Sequence, residues 1–318
     1  MRIAIRGALA AAILLAAGAA SAKTLVFCSE GNPESLNPQT MTTTTGINAG
    51  RPFFNNLVEF VPGSTDIMPG LAESLTISAD GTEYTFHLRR GVKFHSNDAF
   101  QPSREMNADD VIFSFDRQWK EDHPYHNVSA GYTYFQDMGM PELLNAIDKI
   151  DDYTVRFRLN RPEAPFLANL AMPFNVIQSA EYADRLLKAG TPEKFDEAPI
   201  GTGPFAFADF QKDVAVRYRA FPDYWAGKQP IDTLVFSITP TASVRLTKLK
   251  AGECQVMAFP NADDRPRIEA DPALKFLEQE GLNVGYLALN TGTPPFHDVR
   301  VRRAVNMAID KTAIVEAI

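Results

Sequence analysis

A positive start, an apolar run and a small-residue triplet open the chain: Arg2 and Arg6, then residues 8–17 rich in Ala and Leu, then Ala20-Ser21-Ala22. This is the layout of a cleavable export signal, with the small-x-small triplet as the peptidase site. The apolar run is too short to cross a bilayer, which takes roughly 20 residues. An alanine-rich N-terminal helix of an ordinary domain would explain neither the charge placement nor the triplet. Cleavage is expected near Ala22, so the mature protein starts at Lys23, outside the cytoplasm. Cys28 is not preceded by the Leu-small-small triplet of a lipoprotein box, and the mature chain is expected to be free of a lipid anchor.

Export sets the redox context for the two cysteines, Cys28 and Cys254. An even count in an oxidising compartment reads first as a disulfide. Two separate buried thiols are the alternative, less comfortable there. On the chain-entropy account a loop this long is worth at most about 5 kcal/mol. The geometric content is more useful: the Cα atoms must lie within about 7 Å, so the mature N-terminus would sit beside the segment near residue 254.

Removing the signal takes away two arginines and no acid, which leaves 29 basic against 39 acidic residues. That acidity argues against nucleic acid or an anionic membrane surface as partner. No later apolar run reaches spanning length. A chain of 318 residues suggests about two domains.

Leu25 to Phe27 reads as a short strand, followed by turns at Gly31-Asn32-Pro33 and Asn37-Pro38. Residues 42–45, all threonine, read as a polar loop with hydroxyl groups but no titratable group. Residues 75–78, an Asp80-Gly81 turn and the alternation of Tyr84, Phe86 and Leu88 with polar neighbours form a hairpin. Val155, Phe157 and Leu159 repeat the alternation. A helix is expected from an Asn107 cap, with Asp109 and Asp110 in the first turn, where the dipole favours acids, and a buried stripe of Val111, Ile112, Phe115 and Trp119. Further strands are expected over 215–218, 233–238, 255–257 and 284–289, and a helix over 242–250 stopped by Gly252. The last helix starts at an Asp298 cap and puts Val301, Ala304, Val305, Ala308 and Ile309 on one face. Nothing after it would cover that face, so the chain is expected to be an N-terminal piece of a longer protein.

Catalytic signatures are missing. No G-x-S-x-G, S-x-x-K, H-E-x-x-H, P-loop or G-x-G-x-x-G occurs, and Gly201-Thr202-Gly203-Pro204 carries proline where a phosphate loop needs a free N–H. His123 and His126 could share a helix face, but Pro124 lies between them and no third ligand is near, so a polar loop is the better reading. No metal site, cofactor or enzymatic activity is expected, and an exported hydrolase is the weaker alternative.

Several segments together resemble the dipeptide-binding branch of the periplasmic solute-binding proteins, family 5, which serve bacterial ABC peptide importers. They are residues 23–31, 84–93, 107–111, 161–167, 199–205, 231–236 and 298–302. The strand after the Asp-Gly turn and the Arg300-Val301-Arg302 helix mark the whole family, including oligopeptide, nickel and heme-associated members. The segment around Cys28, the Arg161-Pro162-Glu163-Ala164-Pro165-Phe166-Leu167 run and Glu253-Cys254-Gln255-Val256-Met257 resemble the dipeptide branch.

The resemblance implies an α/β, two-lobed clamp of the type II-like periplasmic-binding-protein kind, with an extra inserted α/β domain and a truncated second lobe. Residues 1–22 would be the signal peptide, 23–55 and 204–282 a discontinuous lobe I, 56–203 the inserted domain, and 283–318 the incomplete beginning of lobe II. A Cys28–Cys254 bond would staple the two pieces of lobe I across the insertion. The ligand would be a dipeptide or other short peptide lying extended between the lobes and passed to a membrane permease, with heme, nickel or oligopeptide binding as alternatives. The protein would be periplasmic and monomeric. By position, Thr42, Thr43 and Thr44 would be the ligand-facing loop of lobe I. Ala258, Phe259, Gly285 and Tyr286 would lie on strands crossing near the hinge. The residues that hold the peptide's charged ends would lie on lobe II, past Ile318.

Overall fold

A five-stranded mixed sheet, a four-stranded antiparallel sheet and a small two-stranded ribbon organise the described residues. The structure, a computed structural model, describes residues 22–128, 130–278 and 286–317. The signal reading therefore lies outside the described residues. Among the described residues eleven strands follow in order: β1 (Thr24–Ser29), β2 (Val58–Phe60), β3 (Ile67–Pro69), β4 (Ala72–Ile77), β5 (Glu83–Leu88), β6 (Leu144–Asp151), β7 (Thr154–Leu159), β8 (Phe205–Gln211), β9 (Ala215–Ala220), β10 (Thr233–Ile238) and β11 (Val256–Met257).

The first sheet has the order β11-β1-β10-β9-β8. β1 runs parallel to β10, with Thr24 opposite Thr233 and Ser29 opposite Ile238, and parallel to β11 on its other side. β9 and β8 add antiparallel. β1 is thus an inner strand flanked by two parallel neighbours, and its end, Cys28 and Ser29, is buried. The sheet draws on residues 24–29 and 205–257, with all that lies between set into it. Its core joins Phe53, Tyr218, Phe27 and Phe236, with ring centroids 4.6 Å apart for Phe27–Phe236 and 4.8 Å for Phe53–Tyr218.

The second sheet, β4-β5-β7-β6, is antiparallel throughout. Its alternation sends Tyr84, Phe86 and Leu88 inward with Val155, Phe157 and Leu159. Helix α2 (Ala108–Trp119; α1 is Thr44–Gly50) closes over it, Phe115 meeting Phe157 edge-on at 4.9 Å. Asn107 caps α2 as the sequence reading expects, in a capping box with Asp110.

Asp110 stands in the first turn, as expected, and is also buried, paired with Arg104 at 2.5 Å, and accepts the N–H groups of Asn107 and Ala180. Two local readings need correction. The buried stripe of α2 is wider than its apolar residues, because Ser114, Arg117 and Gln118 are also covered, while Ile112 and Trp119 are only half-buried. The strand expected over 284–289 is absent where it can be seen. Residues 286–290 have no strand conformation, and Tyr286 is 83 % exposed. An extended segment becomes a strand only with a hydrogen-bonding neighbour, and none lies beside it among the described residues. The final helices are Val299–Ala308, capped by Asp298, and Lys311–Ala317.

The passages between the two sheet units are tight. A Cβ on Gly201 would stand 2.0 Å from the carbonyl oxygen of Phe53, and one on Gly203 would stand 2.4 Å from backbone atoms of Pro52 and Phe53. The Gly-Thr-Gly-Pro turn is therefore a close-packing joint as well as a lead into β8. His95 fastens it. Its Nδ1 accepts from Gly201 N–H at 3.3 Å, which leaves the proton on Nε2 to donate to the Gly203 carbonyl at 2.9 Å.

Candidate functional site

In open α/β sheets, ligands bind beyond the carboxyl ends of the parallel strands. Here those ends belong to β1, β10 and β11, and the chain leaves them at Glu30, Thr239 and Ala258. The disulfide lies just behind this edge. Cys28 on β1 and Cys254 before β11 are bonded, buried, 5.9 Å apart at Cα and 226 residues apart in sequence. It joins two pieces of the chain that reach the same sheet from opposite sides of the intervening 58–204 region.

The threonine run is brought to this edge by two carboxylates. Glu30, the first residue past β1, accepts the Thr45 hydroxyl at 2.5 Å. Glu34 accepts the N–H groups of Thr42 and Thr43 at 2.7 and 2.8 Å and the Thr43 hydroxyl at 2.5 Å. Partial burial works against the charge on Glu34, but these hydrogen bonds outweigh it and hold its carboxyl below the ordinary glutamate value. A Cβ on Gly46 would meet the Glu34 carboxylate at 2.2 Å, so glycine is what lets this acid lie against the start of α1.

The run is not the loop the sequence reading expects. Thr43 caps α1 by accepting Gly46 N–H on its hydroxyl, and Thr44 is the first helical residue. Thr43 is therefore committed internally and supports the run, while Thr42 and Thr44 are exposed and their hydroxyls have no partner among the described residues. The Thr42 carbonyl accepts the Tyr134 hydroxyl at 3.1 Å, tying the run to the 58–204 region as well. Residue spacing alone could show a Ser/Thr cap, but not Glu30 and Glu34, which reach the run only through the turns at residues 31–38.

The expected hinge residues divide. Gly285 lies outside the described residues. Tyr286 is exposed and outside any strand. Ala258 and Phe259 follow β11 directly but do not extend it: Phe259 has φ 50°, which turns the chain, and Pro260 has no N–H to continue a ladder. Sequence reasoning missed Arg245, whose buried guanidinium meets the backbone at this edge. Its only signal was a cation near the start of a helix. Among the described residues, no three metal-ligating side chains come together, and no helix is long and apolar enough to cross a membrane.

Comparisons with known proteins match this architecture. Against the dipeptide-binding protein of Escherichia coli (strain K12), the chain is 56% identical over 304 residues, covering 95% of this chain and 57% of that protein. Against heme-binding protein A of Haemophilus influenzae it is 52% identical, covering 95% and 56%. The crystal structure of a dipeptide-binding protein from Pseudoalteromonas sp. SM9913 in complex with Met-Leu superposes with a TM-score of 0.88 at 39% identity, covering 93% of this chain and 59% of that one. The chain thus spans a little over half the length of these relatives. Residues 66–318 match the family described as bacterial extracellular solute-binding proteins, family 5 Middle. The chain belongs to that family of extracellular solute-binding proteins.

Proposed function

We propose that the complete protein is the periplasmic receptor of an ABC importer, which captures dipeptides and other short peptides and hands them to a membrane permease. The observation that carries the reading is the 56% identity to a dipeptide-binding protein along 95% of this chain. The carboxyl edge of β1, β10 and β11 suits an extended ligand, whose backbone could be met by neutral hydrogen-bonding groups much as an added strand is. Thr42 and Thr44 are our candidates for such groups, with Thr43 holding them in place. In this reading residues 23–55 and 204–282 form lobe I and residues 56–203 an inserted domain. Residues 283–318 begin lobe II, whose remainder supplies the contacts to the peptide's charged ends. The protein works as a monomer after signal cleavage near Ala22, by binding without chemistry.

Isothermal titration of the full-length protein with a dipeptide panel tests this. Micromolar or tighter binding of several dipeptides is the expected result, equivalent to about −8 kcal/mol or better. No binding to any of them would remove the reading. The similarity to heme-binding protein A supports a second reading, heme as ligand. It predicts a heme absorbance band after incubation with heme and gel filtration.

A further inference from the structure

One side chain gathers the backbone where two of the three parallel strands end. Arg245, in the Ala242–Lys250 helix, is buried, with 3 % of its surface accessible. Its Nη1 donates to the carbonyls of Thr239 and Pro240 at 2.9 and 2.6 Å, beyond β10. Its Nη2 donates to the Phe259 carbonyl at 3.0 Å and its Nε to that of Ala258 at 3.3 Å, beyond β11. β1 lies between those two strands, and its last residue, Ser29, accepts the Thr239 N–H at 2.8 Å. A guanidinium spreads five N–H donors over a planar fork and can serve four carbonyls at once, whereas an ammonium has three donors on one atom.

Helix stability does not account for this arginine. Among the described residues no carboxylate pairs with it, and its place near the amino end of its helix sets a positive charge against the dipole. What it secures is Phe259. That residue has φ 50°, in the left-handed region that a bulky side chain adopts only when its surroundings impose it. The residue is 55 % exposed, so burial does not repay the strain. A strained backbone, fastened by a buried cation, thus displays an aromatic ring at the carboxyl edge where such sheets receive ligands.

We propose that Arg245 is a positioning residue that holds Phe259 in its left-handed conformation, and that the Phe259 ring is a specificity-determining contact for an apolar side chain of the bound peptide. The second half of this rests on the peptide-binding reading above.

The test uses the full-length protein with Leu-Leu and Gly-Gly as ligands, together with amide hydrogen exchange of the unliganded protein at residues 258, 259 and 261. F259A is expected to weaken Leu-Leu by about tenfold and Gly-Gly by less than about twofold, since only the former has apolar surface to lose. R245Q is expected to show the same selective loss with faster exchange at the three amides, and R245K to fall between it and the wild type. A purely structural role would lower both affinities alike, so equal losses, or none, overturn the proposal. If R245Q does not fold, R245K and F259A decide on the same criteria. If the wild type binds neither dipeptide, the peptide reading and the ligand contact fall together. The positioning role is then judged by exchange alone, and unchanged exchange in R245K overturns it.

Discussion

His95 makes the joint between the two sheet units sensitive to acid. Burial, only partly offset by the bond to the Gly203 carbonyl, lowers its pKa from 6.5 to about 4. Protonation would put a second donor on Nδ1, facing the Gly201 N–H it now accepts from. Because the folded pKa lies below the unfolded one, the unfolded chain takes up a proton that the folded chain refuses. The stabilisation is complete above pH 6.5 and is lost as the pH falls to about 4, amounting to about 3 kcal/mol. Denaturant unfolding at pH 7 and pH 4 is expected to show that the wild type loses about 3 kcal/mol more than His95→Asn does. Equal losses would remove His95 from the account. Nearer the site, Glu34→Ala deprives the start of α1 of its organising acceptor. It is expected to cost about 1 kcal/mol and to speed amide exchange at residues 42–43. Gly46→Ala is expected to act in the same direction, because its methyl would displace a carboxylate pinned by three hydrogen bonds.

At the scale of elements, the contrast between α2 and β11 is instructive. The cap, length and first turn of α2 follow from Asn107 and the apolar spacing behind it. Its polar burial does not: Arg117 is enclosed by Tyr132, Gln178 and Asp196, contributed by segments 15 to 79 positions away. β11 is only two residues long, and the Cys28–Cys254 disulfide and the Gln255 N–H donated to the Val26 carbonyl at 2.9 Å both tie its start to β1. Thiol labelling of the exported protein, denatured without reductant, should find no free cysteine. Replacing both cysteines by serine is expected to cost about 2–5 kcal/mol in unfolding free energy. A smaller change would show that hydrogen bonds and packing place β11 without the disulfide.

For the whole molecule, affinity should depend on more than one lobe. Residues 23–318 expressed alone are expected to bind a dipeptide about 100- to 10,000-fold more weakly than the full-length protein. On the proposed reading they would lack two charge-assisted bonds to the peptide ends, each worth about 1.5–3 kcal/mol. Parallel titration of both proteins with one dipeptide checks this. Comparable affinities would place the decisive contacts within residues 23–318 and refute the assignment of the end-holding groups to lobe II.

Local pattern determined the strands at 84–88, 154–159 and 233–238, the caps at Asn107 and Asp298, and the pairing of the two cysteines. Periodicity, capping and cysteine count act over a few residues or by simple elimination, so one sequence carries them. The tertiary structure alone decided which polar groups are buried and which are committed. Thr43 is spent on Glu34 and Gly46, Asp110 on Arg104, His95 on Gly201 and Gly203, and Arg245 on four carbonyls. Each partnership except those of Asp110 with Arg104 and of Thr43 with Gly46, a local cap, joins segments that local spacing does not relate, or needs a turn to bring a neighbour back. Buried hydrogen bonds reward three-dimensional convergence, and a sequence records no distances.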